Sequence, residues 1–287
     1  MAKKRVDPYR NVVVISDLHS GCQLALCPDE VKLDSGGIYR ANKIQKALKA
    51  MWDEFWGEVV PSWTKGEPFV VIFNGDAVDG APHGSISQIS PNRDVQNKIA
   101  YDLLNPVVMA CDGRYFHTRG TGAHVGQSAE SEEQLARMLC AKPDREGNHA
   151  RYDLWLRCGP KPGGLIHALH HVGTTSRAAY ESSAVHAELT EAFCEAARWG
   201  QEPPDAIVRS HRHRNIEIRV PTSRGNGLAV VSPAWQGKTP YAWKIAGARQ
   251  SNPQFGGLII QRVEPDGLYC RSKVWSIARS ELVNDNG

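Results

Sequence analysis

The sequence predicts an α/β protein: two mixed β-sheets packed face to face, with helices outside. Three observations lead there. Unbroken apolar runs, "VVVI" from Val12 and "FVVIF" from Phe69, read as strands covered on both faces. In the first half these runs alternate with segments of helical periodicity. In the second half strand segments crowd together, an order that two stacked sheets accommodate.

The elements follow in chain order. After the first strand and a loop rich in Gly, Asp and Pro, "IYRANKIQKALKAMWDEFWGEVV" carries apolar residues at helical spacing. Trp52, Phe55, Trp56 and Val59 fall on its buried stripe, and Pro61 is expected to end it. "PFVVIFNGD" is the second strand. "NRDVQNKIAYDLLNPVVMAC" reads as helix, kinked or broken at Pro106. "RYFHTRGTGAH" is a short strand entering a glycine-rich turn, and "SAESEEQLARMLC" opens as helices do, with Ser and acidic residues. "HARYDLWLRCG" and "GLIHALHH", joined by a Pro-Gly turn, predict an antiparallel hairpin. A helix up to Gly200 follows, then "AIVRSHRH" and the strands "IEIRV", "GLAVVSPAW", "GGLIIQRV" and "LYCRSKVW". The expected organisation is one domain over 1–287, with a motif core at 11–215 and the strands of 216–287 completing the second sheet.

Composition narrows the function classes. The chain has 287 residues, enough for a core that needs no covalent staples. No apolar run approaches the roughly 20 residues of a membrane span. The basic N-terminus lacks the apolar stretch of a signal peptide. Seven scattered cysteines without a Cys-x-x-Cys read as reduced thiols, so a cytoplasmic location is expected. The net charge of +3 is compatible with an anionic substrate without requiring one.

Polar residues recur where strands stop. Asp17 and His19 follow the first strand, and Asp76 and Asp79 the second. His124 lies beyond the third, His170 and His171 end "GLIHALHH", and His211 and His213 end "AIVRSHRH". Singly, each is what surface loops often contain. Five in order, at the ends of apolar strands, point to a shared partner. Burying so many carboxylates and imidazoles unpaired costs several kcal/mol per group, and cations offset that cost.

The segments "SDLHSG", "NGDAVDG", "GTGAHVG", "LHHVG" and "SHRHR" resemble the calcineurin-like metallophosphoesterase superfamily over roughly residues 11–215. The resemblance implies a four-layer αββα sandwich and a site for two divalent ions between the sheets, hydrolysing phosphate mono- or diesters. It implies Asp76 as the bridging carboxylate. Asp17, His19 and His213 would complete one ion's ligands, and His211 with His170 or His171 the other's. Neighbouring strand residues face opposite ways, so only one of the two should point at the ions, and the resemblance implies His170, the position of the family's first histidine. His124 would stabilise the transition state or protonate the leaving group, with Asp79 orienting a ligand. Mixed oxygen and nitrogen donors suit Mn, Fe, Zn, Ni or Co better than Ca; the expected cofactors are two divalent ions, Mn foremost, with Mg also among the candidates. The family's Gly-Asn-His is here Gly120-Thr121-Gly122-Ala123-His124, so either Ala123 or Thr121 occupies the Asn position.

Arg93, Arg119, Arg177 and Arg212 lie in or near these loops, and Arg119 and Arg212 are the candidates for binding phosphate oxygens. His83 follows on a loop near Asp79. His117, His149, His167 and His186 fall off the pattern and read as structural. "GDAVDGA" lacks the Arg of the family's protein phosphatases, and "SPAWQGKTPYAWKIAGARQ" interleaves aromatic and basic residues as single-stranded nucleic-acid sites do. A phosphodiesterase or nuclease is therefore the leading expectation. A small-molecule phosphomonoesterase or cyclic nucleotide phosphodiesterase is the alternative, and a degenerate nucleic-acid-binding module belongs to another class. The chain's style also resembles phage and prophage members of that family.

Overall fold

In the computed structural model, residues 9–160, 163–173, 178–245, 251–263 and 267–276 are described. The strands are β1 (Asn11–Ile15), β2 (Glu30–Lys32), β3 (Ile38–Arg40), β4 (Phe69–Asn74), β5 (Tyr115–Thr118), β6 (Ala150–Arg151), β7 (Leu154–Cys158), β8 (Gly164–Ala168), β9 (Ala206–Arg209), β10 (Ile216–Thr222), β11 (Gly225–Val231), β12 (Gln254–Val263) and β13 (Gly267–Ser276). The helices are α1 (Lys43–Glu54), α2 (Val60–Thr64), α3 (Arg93–Ala110), α4 (Gly122–Val125), α5 (Glu130–Met138) and α6 (Glu181–Arg198). A six-stranded sheet runs β13-β12-β1-β4-β5-β6, and a five-stranded sheet runs β10-β11-β9-β8-β7.

The period-2 alternation of β1 assigns the layers. Val13 and Ile15 join Val71, Phe73, Tyr115 and Ile259 in a core capped by Leu48, Trp52 and Phe55 and by α3 and α5 residues such as Leu104 and Leu135. Val12 and Val14 face the other way and pack with Ile72, Leu258, Ile166, Val208 and Val230, between the two sheets. Ile207, Ala229 and Val231 turn outward again onto Val185 and Leu189 of α6. The order is helices, sheet, sheet, helix: the expected αββα sandwich. Strands β1, β4 and β5 run parallel in the first sheet, and β8, β9 and β11 in the second. Their carboxyl ends carry the polar motifs. Strands β7 and β8 form the predicted antiparallel pair.

Four expectations need correction. Residues 38–40 are a strand paired with β2, and the helix starts later, because Asn42 and Gln45 close a reciprocal capping box. Pro61 does not end it. A π-turn at Phe55–Val59 widens the helix just before the proline, and helix continues to Thr64, where Lys65 turns left-handed. Pro106 lies inside an unbroken α3. The C-terminal strands divide between the sheets: β10 and β11 extend the second, whereas β12 and β13 extend the first, with β12 antiparallel to β1. Buried on both faces from Phe255 to Ile260, β12 satisfies its apolar run beside the equally buried β1.

All seven cysteines are free thiols. No helix among the described residues is long and apolar enough to cross a membrane.

Candidate metal centre

The ends of β1, β4 and β9 deliver their polar residues through a sharp reversal. Asp17, His19, Asp76, His211 and His213 all adopt positive φ, between 45° and 73°. Asp tolerates this left-handed region better than most residues, but each such turn still costs about 1 kcal/mol. Five of them together mark a site whose backbone the surrounding fold imposes. Glycine makes the close approaches. A side chain on Gly75 would meet the His170 ring at 2.6 Å, and one on Gly120 would meet Asp76 Oδ1 at 2.1 Å.

The result is three overlapping groups of candidate ligands, each with its donor atoms within 4.8 Å of one another: Asp17, His19 and His213; Asp76, His170 and His211; and His19, Asp76 and His124. Asp17 Oδ1 stands 3.4 Å from His213 Nε2 and 3.7 Å from His19 Nε2. Asp76 Oδ2 stands 3.0 Å from His170 Nε2, and 3.9 Å from both His19 Nε2 and His211 Nδ1. The floor is dry, with Asp17 and His170 fully covered. The rim is open, with the side chains of His211, His213 and His124 exposed to 35%, 20% and 18%.

Supporting bonds orient the rings. The backbone carbonyl of Asn74 lies 2.6 Å from His170 Nδ1 and can accept its N–H, which leaves Nε2 free to face Asp76. The Asn74 side chain donates to Leu169 O and Ser210 Oγ and accepts from Thr118 Oγ1, tying both sheets together beneath the site. Asp79 Oδ1 lies 3.5 Å from His19 Nδ1, while its carboxylate accepts from Gln88 and Gln236. The Asp79 carbonyl lies 2.8 Å from His124 Nδ1. Asp79 thus stands behind both His19 and His124, an orienting position.

The charge balance fits a cation. Burial would lift the Asp17 and Asp76 carboxyls, yet His170 and the other imidazoles hold both far below the usual carboxylate range. Burial opposes charge on His19, but the Asp17 and Asp79 carboxylates raise it to about 10. Burial likewise opposes charge on His170, and Asp76 with Asp17 carries it to about 9. Two ring protons here meet a demand for positive charge that metal ions can meet instead. Asp17 Oδ1, fully buried, has no hydrogen-bond partner. An orphaned anionic oxygen among imidazoles is what a ligand lacking its ion looks like. Burial and the neighbouring His19 charge push His124 below its ordinary value.

The geometry bears on the choices that the sequence leaves open. Thr121, not Ala123, stands at the second group: its hydroxyl lies 3.2 Å from Asp76 Oδ2 and 3.1 Å from His211 Nδ1, while Ala123 is exposed. Of the adjacent pair, His170 joins a group. His171 joins none and is exposed, its ring 5.3 Å from His170 and 5.5 Å from His211. Arg119 is held by Ala150 O, with its guanidinium 4.2 Å above the exposed Tyr152 ring. Arg212 donates to Gly173 O. Arg93 is not aimed at the site: it braces the His124 loop through Ser131 Oγ and the His124 carbonyl. Arg177, Arg249 and the side chain of His83 lie outside the described residues.

Residues missed in the sequence include Asn74, Gln88, Gln96, Glu132 and Gln236. Only Asn74 carried a signal, a polar residue closing an apolar strand. The others reach in from segments that read as ordinary loop or polar helix surface.

No protein family model matches the chain, and no curated protein sequence does. Solved structures are similar at low levels. Vps29 from Chaetomium thermophilum is 11% identical with a TM-score of 0.39, over 93% of this chain and 98% of that one. A Thermus thermophilus sulfate thiohydrolase, SoxB, is 12% identical with a TM-score of 0.42, over 95% and 58%. A hypothetical protein from Thermus thermophilus is 13% identical with a TM-score of 0.39, over 93% and 99%. The architecture described above rests on this chain's own sheet order and layers.

Proposed function

We propose that this protein is a metal-dependent phosphoesterase that prefers phosphodiesters, with nucleic acids or nucleotides as the substrate class. One observation carries the reading. A single carboxylate oxygen, Asp76 Oδ2, faces His19 on one side and His170 and His211 on the other, so one side chain can serve two ions. The motif resemblance to the calcineurin-like metallophosphoesterases supports it.

Asp17, His19 and His213 would hold the first ion and Asp76, His170 and His211 the second, with Thr121 offering a hydroxyl. Mixed oxygen and nitrogen donors suit Mn, Fe, Zn, Ni or Co better than Ca; Mn is the first choice to supply, with Mg a further alternative. When bound, such a pair supplies Lewis acidity toward phosphoryl oxygens and makes water more acidic. The protein's own groups do the rest. His124, on the open rim, is anchored through Nδ1 to the Asp79 carbonyl, which leaves Nε2 to hold or deliver the leaving oxygen's proton. Arg119 and Arg212 are the candidates for binding a phosphate oxygen.

Two features favour diesters. "GDAVDGA" has no arginine to grip a terminal phosphate. Cations also sit over exposed aromatic rings, Arg119 over Tyr152 at 4.2 Å and Lys238 over Trp243 at 3.6 Å, the residue types that single-stranded nucleic-acid sites combine. The test is hydrolysis of bis-p-nitrophenyl phosphate against p-nitrophenyl phosphate with Mn supplied. Faster turnover of the diester is expected; a strong preference for the monoester overturns the choice. DNA binding without cleavage under any metal would favour a binding module.

A further inference from the structure

Behind the site, on α5, lies a carboxylate that takes no part in ligand binding. Glu132 is fully buried. Its Oε1 accepts the N–H of Ala77 at 3.0 Å, and its Oε2 accepts the N–H of Gly120. These two amides belong to different loops. Ala77 follows Asp76 after β4, and Gly120 precedes Thr121 after β5. The loops touch: the Thr121 N–H donates to Asp76 Oδ1 at 2.6 Å. Gly120 leaves no space for a Cβ there. His117 backs the carboxylate, with Nε2 3.6 Å from Glu132 Oε1 and Nδ1 3.0 Å from the Tyr115 hydroxyl. Tyr115 and His117 are fully buried too.

A carboxylate in an apolar wall is costly unless its oxygens are engaged. Here both are, by the two backbone groups flanking Asp76 and Thr121. A glutamine, with one acceptor and one donor, cannot make both bonds. We propose that Glu132 is a positioning residue that clamps the β4 and β5 loops together and so sets the Asp76–Thr121 geometry of the second ion site. The proposal rests on the metal-centre reading, and its test separates the two.

In Glu132→Gln, amide exchange at Ala77 or Gly120 should accelerate roughly 10-fold or more while β1 amides stay protected. This arm needs no metal. Titration of the metal-free protein with Mn should show the second ion weakened about 10- to 100-fold and the first within about twofold. On the diester, kcat should fall with KM unchanged. If Glu132→Gln fails to fold, Glu132→Asp keeps both acceptors on a shorter stem and should show the same split, smaller. Unchanged exchange and ion affinities overturn the clamp. So does weakening of both ions in step with a lowered Tm, the mark of a merely structural residue. A wild-type protein that binds two ions but hydrolyses no phosphoester sinks the enzymatic reading alone. A wild-type protein that binds no ion sinks the metal centre, and the amide exchange then decides whether the loops are clamped.

Discussion

The two ligand groups draw on the same residue types but are finished differently. In the first, Asp17 brings a fully buried, unpartnered oxygen, and the carboxylate of Asp79 backs His19. In the second, the carboxylate is the shared Asp76, the extra donor is the neutral Thr121 hydroxyl, and His211 is more exposed than any first-group ligand. A cation in the first group therefore has the carboxylates of Asp17 and Asp79 close by in a drier setting, where Coulomb attraction is stronger. Charge and dryness, rather than ligand count, should rank the two sites: the first ion binds tighter, and the second is the one that responds to changes around it.

The strongest challenge to this ranking is Asp76→Asn, which removes the carboxylate proposed to serve both ions. Turnover should fall roughly 10³-fold or more, and calorimetric titration should lose the second ion entirely. Retention of two ions would show that Asp76 does not join them. His124→Ala should leave both ions in place and slow turnover about 10²-fold, as loss of a general acid does. Ion loss in that variant would move His124 into the ligand set. Thr121→Val should weaken only the second ion, by about 10-fold, read from the same titration. Equal weakening of both would erase the distinction between the groups.

A separate expectation concerns stability against pH in the metal-free protein. His19 and His170 are raised to about 10 and about 9 from an ordinary 6.5, so the folded state holds protons that the unfolded chain releases. Their stabilisation is fully present below pH 6.5 and is lost as pH rises through 9 and 10. The melting temperature should decline over that window, and saturating Mn should abolish much of the decline. A flat profile without metal would mean the carboxylates are not driving those rings.

Much of this was legible because strands announce their own ends. Val12–Ile15 and Phe69–Phe73 are apolar without interruption, so the first charged residue after each marks the edge of the sheet, and the site lies along that edge. His170 and His171 could be ranked only through the resemblance: which of them turns inward depends on a backbone that sequence spacing does not specify. Thr121 against Ala123 was undecidable for the same reason, a one-residue shift in a glycine-rich turn. The supporting shell was invisible. Glu132 sits among acidic residues typical of any helix start, and Gln96 on a polar helix face, yet Gln96 bonds both the N–H and the carbonyl of Gly80. The fate of β12 was hidden as well, because an apolar strand fits either sheet until its neighbour is known.

The five left-handed residues bear on how such a centre can be moved. Copying Asp17, His19, Asp76, His211 and His213 onto another scaffold would transfer chemistry without posture: an ordinary right-handed loop would aim the same side chains elsewhere. The portable unit is the pattern of chain reversals. A host protein would have to own those kinks, and the packing that enforces them, before the first ligand was installed.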